Sequence, residues 1–456
     1  MSKPGGKPAG DPMRNLFLVS LALVLAACSS SDGSITGGPI STNECSVTGQ
    51  KQFVLDAMNA WYLWNDQLPT NVNIDDFATP EDLLAFLSEF SPDDGSGNPV
   101  DRFSFINSAA ADQAFFGEGQ FEGFGFSFRF ESADDARLTR VFGGSPAAGG
   151  GLARGQQILS LDGRTVAEIE AAEGLSAALD PTTVEFTMRE PNGNEFTTTI
   201  TKAIVTIDPI PQHRIIDNNG TPVGYMELAT FISTADPRFQ AVFTEFLNAG
   251  VQDVIIDLRY NGGGLVSTAE LLADYLGGSI AQNFTFSETR FNADRAAANN
   301  STEPFELRPS SLSLARLVII ATQSTASASE LVTNGLEPTS AEVVVVGDRT
   351  FGKPVGQIGL EFCEKILRPT AFQTVNGDGF GDFFDGLPAD CAAPDDINVA
   401  VGDLADPNVD AALTWLSTGA CPGSSVTPGF EKLAVEAGQR KLQGPAPSWR
   451  QYAGAY

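Results

Sequence analysis

The chain has 456 residues, 42% hydrophobic and 18% charged, which is enough for two or three domains with buried cores. Acidic residues outnumber basic ones by 57 to 27, and the net charge of −30 excludes nucleic acid as a favourable partner. The single histidine, His213, excludes a zinc site built on several histidines. It lies in a polar stretch, which favours a solvated linker position over a role in a Ser-His-Asp triad.

The first residues have the pattern of an export signal. The apolar run over residues 16–25 is too short to cross a bilayer as a helix. Residues 25–28, Leu-Ala-Ala-Cys, resemble the lipobox of bacterial lipoproteins, which implies cleavage before Cys28 and its acylation. We therefore expect a signal peptide over 1–27, a flexible tether over 28–48 and a lipid anchor in the bacterial cell envelope, at the periplasmic side or the outer membrane. An ordinary signal peptide with a chance cysteine is the alternative.

Four further cysteines are present, at Cys45, Cys363, Cys391 and Cys421. An even number in an exported protein predicts two disulfides, and three pairings are possible. We favour Cys363–Cys391, which closes a local loop, with Cys45–Cys421 joining the two ends. The spacing alone does not decide between the pairings.

The segment after the tether is predicted to be helical. Apolar residues recur at helical spacing over residues 51–67, and a second helix is expected to start after Thr79-Pro80, with proline in its first turn. A turn-rich cluster follows at 92–99. These signals predict a small helical N-terminal domain over residues 49–115.

Residues 116–205 change to a β pattern. Apolar and polar residues alternate over 121–128, and further strands are expected at 138–142 and 184–189. A Pro-Asn-Gly turn then leads to another strand at 196–200, which is a hairpin signal. We expect a β-rich domain here.

Residues 206–420 alternate between strands and helices, which predicts a layered α/β core. Continuous apolar runs, typical of buried parallel strands, occur three times. The strands are expected at 223–228, 254–258, 317–321 and 343–346, and the helices at 236–248, 267–276 and 406–416. Residues 286–313 are expected to be a polar loop insertion, and residues 421–456 a C-terminal tail.

Three segments at strand exits carry candidate chemistry. Residues 257–264 end in three glycines, which let the backbone turn sharply and direct N–H groups at a ligand oxygen. Residues 324–330 place Ser327 at a helix N-terminus, where the helix dipole favours an alkoxide. Residues 347–357 carry Lys353 after the next strand, so parallel packing brings it to the same sheet edge as Ser327.

Each segment also has a plainer interpretation. The glycines fit a strand-to-helix turn, and Ser327 with Glu330 fits a capping box, in which the serine only starts the helix. A lysine between Gly352 and Pro354 is usually solvated. The spacing of all three segments along one α/β core is what favours a shared site.

Together the three segments resemble the carboxyl-terminal processing, or tail-specific, serine peptidases. The resemblance implies a ClpP/crotonase-like core with Ser327 as nucleophile, Lys353 as base and Gln357 as the supporting amide. It also implies an oxyanion hole formed by the N–H groups of Gly263 and Ala328. Pro354 stands where the family has glycine, and it fixes the backbone beside the base.

The resemblance extends to the β-rich region, which is similar to the family's PDZ domain. Gly123, Phe124, Gly125 and Phe126 take the position of its carboxylate-binding loop. The implied partners are proteins or peptides with free C-termini, and no cofactor or metal is expected. The alternative function is an envelope lipoprotein that binds peptides or other ligands on a degenerate peptidase fold without cutting them.

A lysine can act as the base only when it is neutral, so burial must lower its pKa from about 10.4. We expect Lys353 to be desolvated and within hydrogen-bonding reach of Ser327 Oγ. A calcium-stabilised module at residues 376–382 with Asp385 is disfavoured, because Phe380 occupies a ligand position of the EF-hand pattern. An acidic turn is the favoured interpretation there.

Overall fold

The structure, a computed structural model, describes residues 45–422. The predicted signal peptide, the acylation site at Cys28 and the tail beyond residue 422 lie outside the described residues. Among residues 45–422, none of the helices has the length and apolar character that a bilayer crossing requires.

The predicted N-terminal helices are confirmed. Helix α1 spans Val47–Trp61, α2 spans Pro80–Ser88, and two short 3-10 turns, Asn65–Gln67 and Ile74–Asp76, lie between them. The start of α2 is fixed by a capping box, because Thr79 and Asp82 each bind the other's backbone N–H at 3.0 Å. The two helices bury a shared apolar face against strands of the C-terminal half.

The end of this region joins the core through a small sheet. Strand β1 (Phe105–Ser108) precedes helix α3 (Ala109–Glu118) and pairs with β19 (Lys365–Arg368), which in turn pairs with β18 (Leu360–Phe362). The N-terminal segment is therefore built into the core by backbone hydrogen bonds.

The favoured disulfide pairing is wrong. Cys45 pairs with Cys363, and Cys391 pairs with Cys421. The sheet between β1 and β19 explains the first bond, because it brings the β18–β19 turn to the start of α1. The second bond joins the short strand at Cys391 to the chain just after the last helix. Neither closeness is visible in sequence spacing.

A β-rich unit follows. Its main sheet has the order β3-β4-β5-β7-β8, with β6 beside β5, and a separate two-stranded sheet pairs β2 with β9. The elements are β2 (Gln120–Gly123), β3 (Phe126–Ser132), β4 (Asp135–Val141), α4 (Pro146–Gly149), β5 (Gln157–Leu161), β6 (Arg164–Thr165), α5 (Val166–Ala172), α6 (Leu175–Ala178), β7 (Thr183–Arg189), β8 (Glu195–Thr201) and β9 (Ala203–Thr206).

The alternating run at 121–128 is two strands of different sheets rather than one. The break falls at Gly125, whose φ of +87° lies in the region that favours glycine. A Cβ at this position would lie 2.2 Å from the Cβ of Ser145. The chain therefore leaves β2 and enters β3 at an angle.

The central sheet has the order β10-β11-β12-β15-β16-β21, and its strands are parallel from β11 onward. This confirms the predicted α/β core. The elements are β10 (Gln212–Asn218), β11 (Thr221–Glu227), a 3-10 turn (Ser233–Ala235), α7 (Asp236–Asn248), β12 (Asp253–Asp257), α8 (Val266–Ala281), β15 (Arg316–Ala321), α10 (Ala328–Leu336), β16 (Glu342–Gly347), β21 (Cys391–Ala392) and α11 (Pro407–Thr418). Helices α7, α8 and α10 cover one face, and α11 covers the other.

The expectation of a loop at 286–313 is wrong for its first part. Residues there form β13 (Thr285–Phe291), α9 (Ala293–Asn299) and β14 (Ser301–Pro304). The two strands join β20 (Thr370–Val375) and β17 (Val355–Gln357) in a sheet of order β14-β13-β20-β17. The segment is polar because few residues of β13 and β14 are buried.

His213 does not lie in a linker. It lies in strand β10, opposite Met226 of β11, with its side chain partly buried and Nε2 3.3 Å from Glu245 Oε2. Within residues 45–422, its side chain forms no hydrogen bond or ion pair with the three strand-exit segments.

Candidate active site

The three candidate segments meet at one edge of the central sheet. Strands β12, β15 and β16 are adjacent and parallel, with Asp257 opposite Ile320 and Ala321 opposite Gly347. Because all three strands end at the same edge, the loops that follow them are neighbours.

The glycine loop and the serine segment are joined by hydrogen bonds around Asn261. Its carbonyl accepts the Ala326 N–H and the Ser329 Oγ–H, both at 3.0 Å. Thr325 Oγ donates to the Leu258 carbonyl at 2.8 Å. The two loops therefore form one rigid unit under Ser327.

Ser327 has the strained backbone expected of a residue fixed by its surroundings. Its φ is +57° and ψ −115°, immediately before helix α10, and its side chain is only partly buried. Gly263 lies directly against it: a Cβ on Gly263 would lie 2.7 Å from Ser327 Cβ and 2.9 Å from the Ala328 nitrogen. Only glycine fits this close approach.

The two predicted oxyanion donors are neighbours but differ in state. The Ala328 N–H belongs to the first residue of α10 and has no acceptor among residues 45–422. The Gly263 N–H donates to Asn261 Oδ1 at 2.9 Å. An oxyanion would have to replace this amide oxygen.

Glu330 links the nucleophile segment to the base loop, a role that the sequence did not indicate beyond a possible helix cap. One of its carboxylate oxygens accepts the N–H groups of both Ser327 and Lys353 at 2.8 Å. The two backbone nitrogens thus lie within twice that distance of each other. The other oxygen accepts the Gly352 N–H at 2.7 Å and the Thr350 hydroxyl at 2.5 Å. The capping-box spacing of Ser327 and Glu330 was the only sequence signal for it.

The Lys353 amine lies in an environment that favours its neutral form. Desolvation, aided by the nearby charge of Arg368, lowers its pKa to about 8, against the opposing fields of Asp101 and Glu330. The Nζ donates to Gln357 Oε1 at 2.8 Å. Within residues 45–422 it makes no hydrogen bond to Ser327 Oγ, so the predicted Ser–Lys contact is not formed in this state.

Gln357 is held by two backbone carbonyls. Its Nε2 donates to Phe103 and, at 3.3 Å, to Arg368. These bonds orient the amide oxygen toward the lysine. The contribution of Phe103 from the N-terminal segment had no sequence signal.

An ionic cluster connects the glycine loop to the β-rich unit. Arg154 donates to the Tyr260 hydroxyl at 2.7 Å and to Asp395 at 2.8 Å, and Tyr260 also donates to Asp395. Tyr260 directly precedes Asn261 and has a φ of +61°. Beside it, Arg259 is fully buried and binds Asp257, Asp395 and Asp406.

The predicted peptide-binding residues lie in the β-rich unit. Phe124 and Phe126 are buried in the apolar core of the β-rich unit, and Gly123 pairs with Ala203. Strand β3, which begins at Phe126, pairs only with β4 and forms an edge of its sheet. No group of three or more His, Cys, Asp or Glu residues able to hold a metal ion occurs within the described range.

Two segments of the chain match models of one peptidase family. Residues 222–387, which include Gly263, Ser327, Lys353 and Gln357, match the peptidase family S41. Residues 49–105 match the peptidase S41 N-terminal domain. The layered fold and these matches make both segments similar to serine peptidases. More particularly, residues 222–387 and 49–105 carry the sequence patterns of peptidase family S41 and of its N-terminal domain.

Relatives with related sequences are carboxyl-terminal-processing proteases. One from Picosynechococcus is 28% identical over 214 residues, covering 46% of this chain and 49% of the relative. The chloroplastic C-terminal processing peptidase of Tetradesmus obliquus is 27% identical over 266 residues, covering 54% of each. The chain thus spans about half the length of these curated relatives.

Solved structures share the fold. An S41 protease from Bacteroides fragilis superimposes with a TM-score of 0.63 at 23% identity, covering 81% of this chain and 97% of that one. The photosystem II D1 C-terminal processing protease gives a TM-score of 0.52 at 20% identity, covering 83% and 99%. At these identities the likeness concerns the fold.

Proposed function

We propose that the protein is a serine endopeptidase in which Ser327 is the nucleophile and Lys353 the general base. The observation that carries the proposal is the Glu330 carboxylate, which holds the backbone of both residues while Lys353 has a lowered pKa. A neutral amine beside a serine hydroxyl is a minimal pair for acyl transfer.

The steps follow from these groups. Lys353 takes the Ser327 proton as Oγ attacks the scissile carbonyl, and it then returns the proton to the leaving amine as the peptide bond breaks. Water, deprotonated by the same amine, hydrolyses the acyl-enzyme and frees Ser327. The N–H groups of Ala328 and Gly263 stabilise the oxyanion by roughly 3 kcal/mol each. For this, the Gly263 N–H gives up its hydrogen bond to the Asn261 side chain and donates to the substrate oxygen. The Lys353 amine likewise leaves the Gln357 side chain and moves toward Ser327 Oγ.

The substrates in this proposal are exported proteins or peptides recognised by their free C-termini. The β-rich unit acts as a PDZ domain, in which a peptide adds to the open edge of β3 and its carboxylate meets the backbone at Gly123–Phe126. A lipid on Cys28 holds the enzyme in the cell envelope, at the periplasmic side or the outer membrane.

The direct test is covalent labelling by a fluorophosphonate probe, which reacts with activated serines. The protein beginning at Ser29 is expected to be labelled on Ser327, and Ser327→Ala is expected to abolish labelling, because no other activated hydroxyl is proposed. Ser324→Ala, in the same segment but outside the proposed site, is the matched control and keeps the label. Mass spectrometry of the labelled peptide locates the adduct.

Equal labelling of the wild type and Ser327→Ala would overturn the assignment of the nucleophile. An unlabelled wild type that still binds C-terminal peptides would instead support a binding protein on a degenerate peptidase fold.

The ionic cluster around Tyr260 makes the β-rich unit a regulator in this proposal. In the state described, Gly263 and Lys353 are both occupied by side chains of the protein itself. Arg154 holds Tyr260, the neighbour of Asn261, in place. Binding of a C-terminus to the β-rich unit would release this hold and free the site.

Arg154→Ala is therefore expected to raise basal turnover of a short peptide about fivefold or more, a typical coupling between two sites. The measurement is initial rate with and without a separate C-terminal activator peptide, whose stimulation should shrink in the variant. Arg189→Ala, an exposed arginine of the same unit paired with Glu195, is the control and should leave both rates unchanged. Unchanged or lower basal turnover in Arg154→Ala contradicts this regulation, as does full cleavage of a C-terminally tagged substrate after deletion of residues 116–205.

A further inference from the structure

One residue of the N-terminal segment contacts both the base and its supporting amide. Phe103 is 5% exposed, and its ring centroid lies 5.4 Å from Lys353 Nζ. Its carbonyl accepts a hydrogen bond from Gln357 Nε2. The environment of the lysine is therefore completed by a segment more than two hundred residues away in the chain.

The residues beside Phe103 hold it against the loop that carries Lys353. Buried Asp101 accepts the Phe103 N–H at 3.0 Å and the Thr370 hydroxyl at 2.8 Å, which ties the segment to strand β20. Arg102 donates to the carbonyls of Phe351 and Gly352 at 3.2 and 3.4 Å. The N-terminal segment thus binds the backbone of the two residues directly before the base.

We propose that Phe103 is a positioning residue for catalysis: its ring keeps water from the Lys353 amine, and its carbonyl fixes Gln357. The inference rests on the proposed function and deepens it, because it makes the N-terminal domain one wall of the active site. It explains why a domain with no reacting group of its own joins the core through a sheet.

Two effects of the ring oppose each other. An aromatic face attracts an ammonium group, which favours the charged form, and it does so more strongly at a desolvated site than at an exposed one. Exclusion of water favours the neutral amine, and desolvation is the largest cause of the lowered pKa of Lys353. We expect the water exclusion by this ring to outweigh its attraction for the ammonium, so that removal of the ring moves the pKa of Lys353 back up.

The experiment compares Phe103→Ala with Phe103→Leu and with a matched control, Phe53→Ala. Phe53 is 7% exposed and stacks on Phe362 of the core at 4.5 Å, so it also joins the N-terminal domain to the core. Phe103→Ala is expected to lower kcat about tenfold or more, with little change in KM, as expected for a misplaced base. The midpoint of the rise of kcat/KM with pH should move upward from about 8. Phe103→Leu keeps an apolar cover and should show smaller changes.

Phe53→Ala should lower Tm while leaving the pH midpoint in place. The proposal is overturned if both variants, Phe103→Ala and Phe53→Ala, lose activity only in proportion to their loss of Tm and show the same pH midpoint of kcat/KM. A second measurement does not need turnover: NMR titration of isotopically dimethylated Lys353 in the Ser327→Ala background should give a higher pKa when Phe103 is alanine. An inactive wild type with this NMR shift would reject the proposed function and keep only the effect of Phe103 on the Lys353 amine. An active wild type without the shift would keep the proposed function and reject the role of Phe103.

Discussion

Lys353→Ala is expected to lower kcat about 10²-fold to 10⁴-fold on a protein substrate, the range typical of general acid–base catalysis. The structure offers no substitute: within residues 45–422, the single histidine lies on strand β10 beside Glu245, away from Ser327. The fully buried Glu330 carboxylate already accepts hydrogen bonds from three N–H groups and a hydroxyl. Lys365→Ala, a surface lysine paired with Glu81, is the matched control.

The lowered pKa of Lys353 also predicts how kcat/KM depends on pH. Below pH 8 the wild-type amine is increasingly protonated and cannot accept the serine proton, so kcat/KM should rise with pH and level off above about 8. The same lowered pKa means that the charged amine is less favourable in the folded state than in the unfolded chain, so this lysine opposes folding below about pH 8 and the penalty fades as the pH rises toward 10.5. Lys353→Ala should therefore keep or raise Tm while losing activity. Near-normal turnover in this variant would reject the proposed base.

The meeting of the three loops was predictable from sequence because it depends on local order alone. Apolar runs at 254–258, 317–321 and 343–346 with intervening helices force parallel strands, and parallel strands end at one edge. The glycines at 262–264 and the small residues around Ser327 then indicate where backbone must approach backbone. These signals are short-range and survive without knowledge of the fold.

The parts that the sequence did not predict are contacts between distant segments. Phe103 and Gln357 are separated by 254 positions, and nothing about a phenylalanine before a β-strand indicates a partner. The disulfide between Cys45 and Cys363 has the same origin, with a separation of 318. Polar strands such as β13 and β14 were also missed, because strands with few buried residues show little apolar pattern in the sequence.

The state of the site was a further property beyond sequence. Motif residues predict which groups belong together, and the structure adds that Lys353 and Gly263 have internal partners, Gln357 and Asn261. Both partners are amide side chains, which carry no net charge and are exchanged for a substrate at low electrostatic cost. An ionic partner at either place would hold the site closed far more strongly.

Arg259→Met is expected to cost about 3–5 kcal/mol of folding free energy, because it removes one partner of a buried ionic cluster and leaves the others. Arg259 is fully buried, and its guanidinium lies 2.6 Å from Asp257, 2.5 Å from Asp406 and 3.2 Å from Asp395. On the scale of a few degrees per kcal/mol for a large domain, Tm should fall by roughly 10 °C. Differential scanning calorimetry at neutral pH measures this. Arg164→Met, which breaks an exposed pair with Glu173, is the control and should cost under about 1 kcal/mol.

The loss of Tm caused by Arg259→Met should become smaller as the pH falls. Burial alone would raise the pKa of Asp395, yet Arg154, Arg129 and Arg259 hold it below its usual value. A lowered carboxyl pKa contributes stability above the unfolded pKa that is lost as pH falls through the folded one. In Arg259→Met the Asp395 carboxyl protonates more readily, and a neutral carboxyl is cheaper to leave unpaired than a carboxylate. The difference in Tm between wild type and variant should therefore narrow in acid. A difference that stays constant or widens as pH falls would show that the cluster stabilises by packing and not by charge.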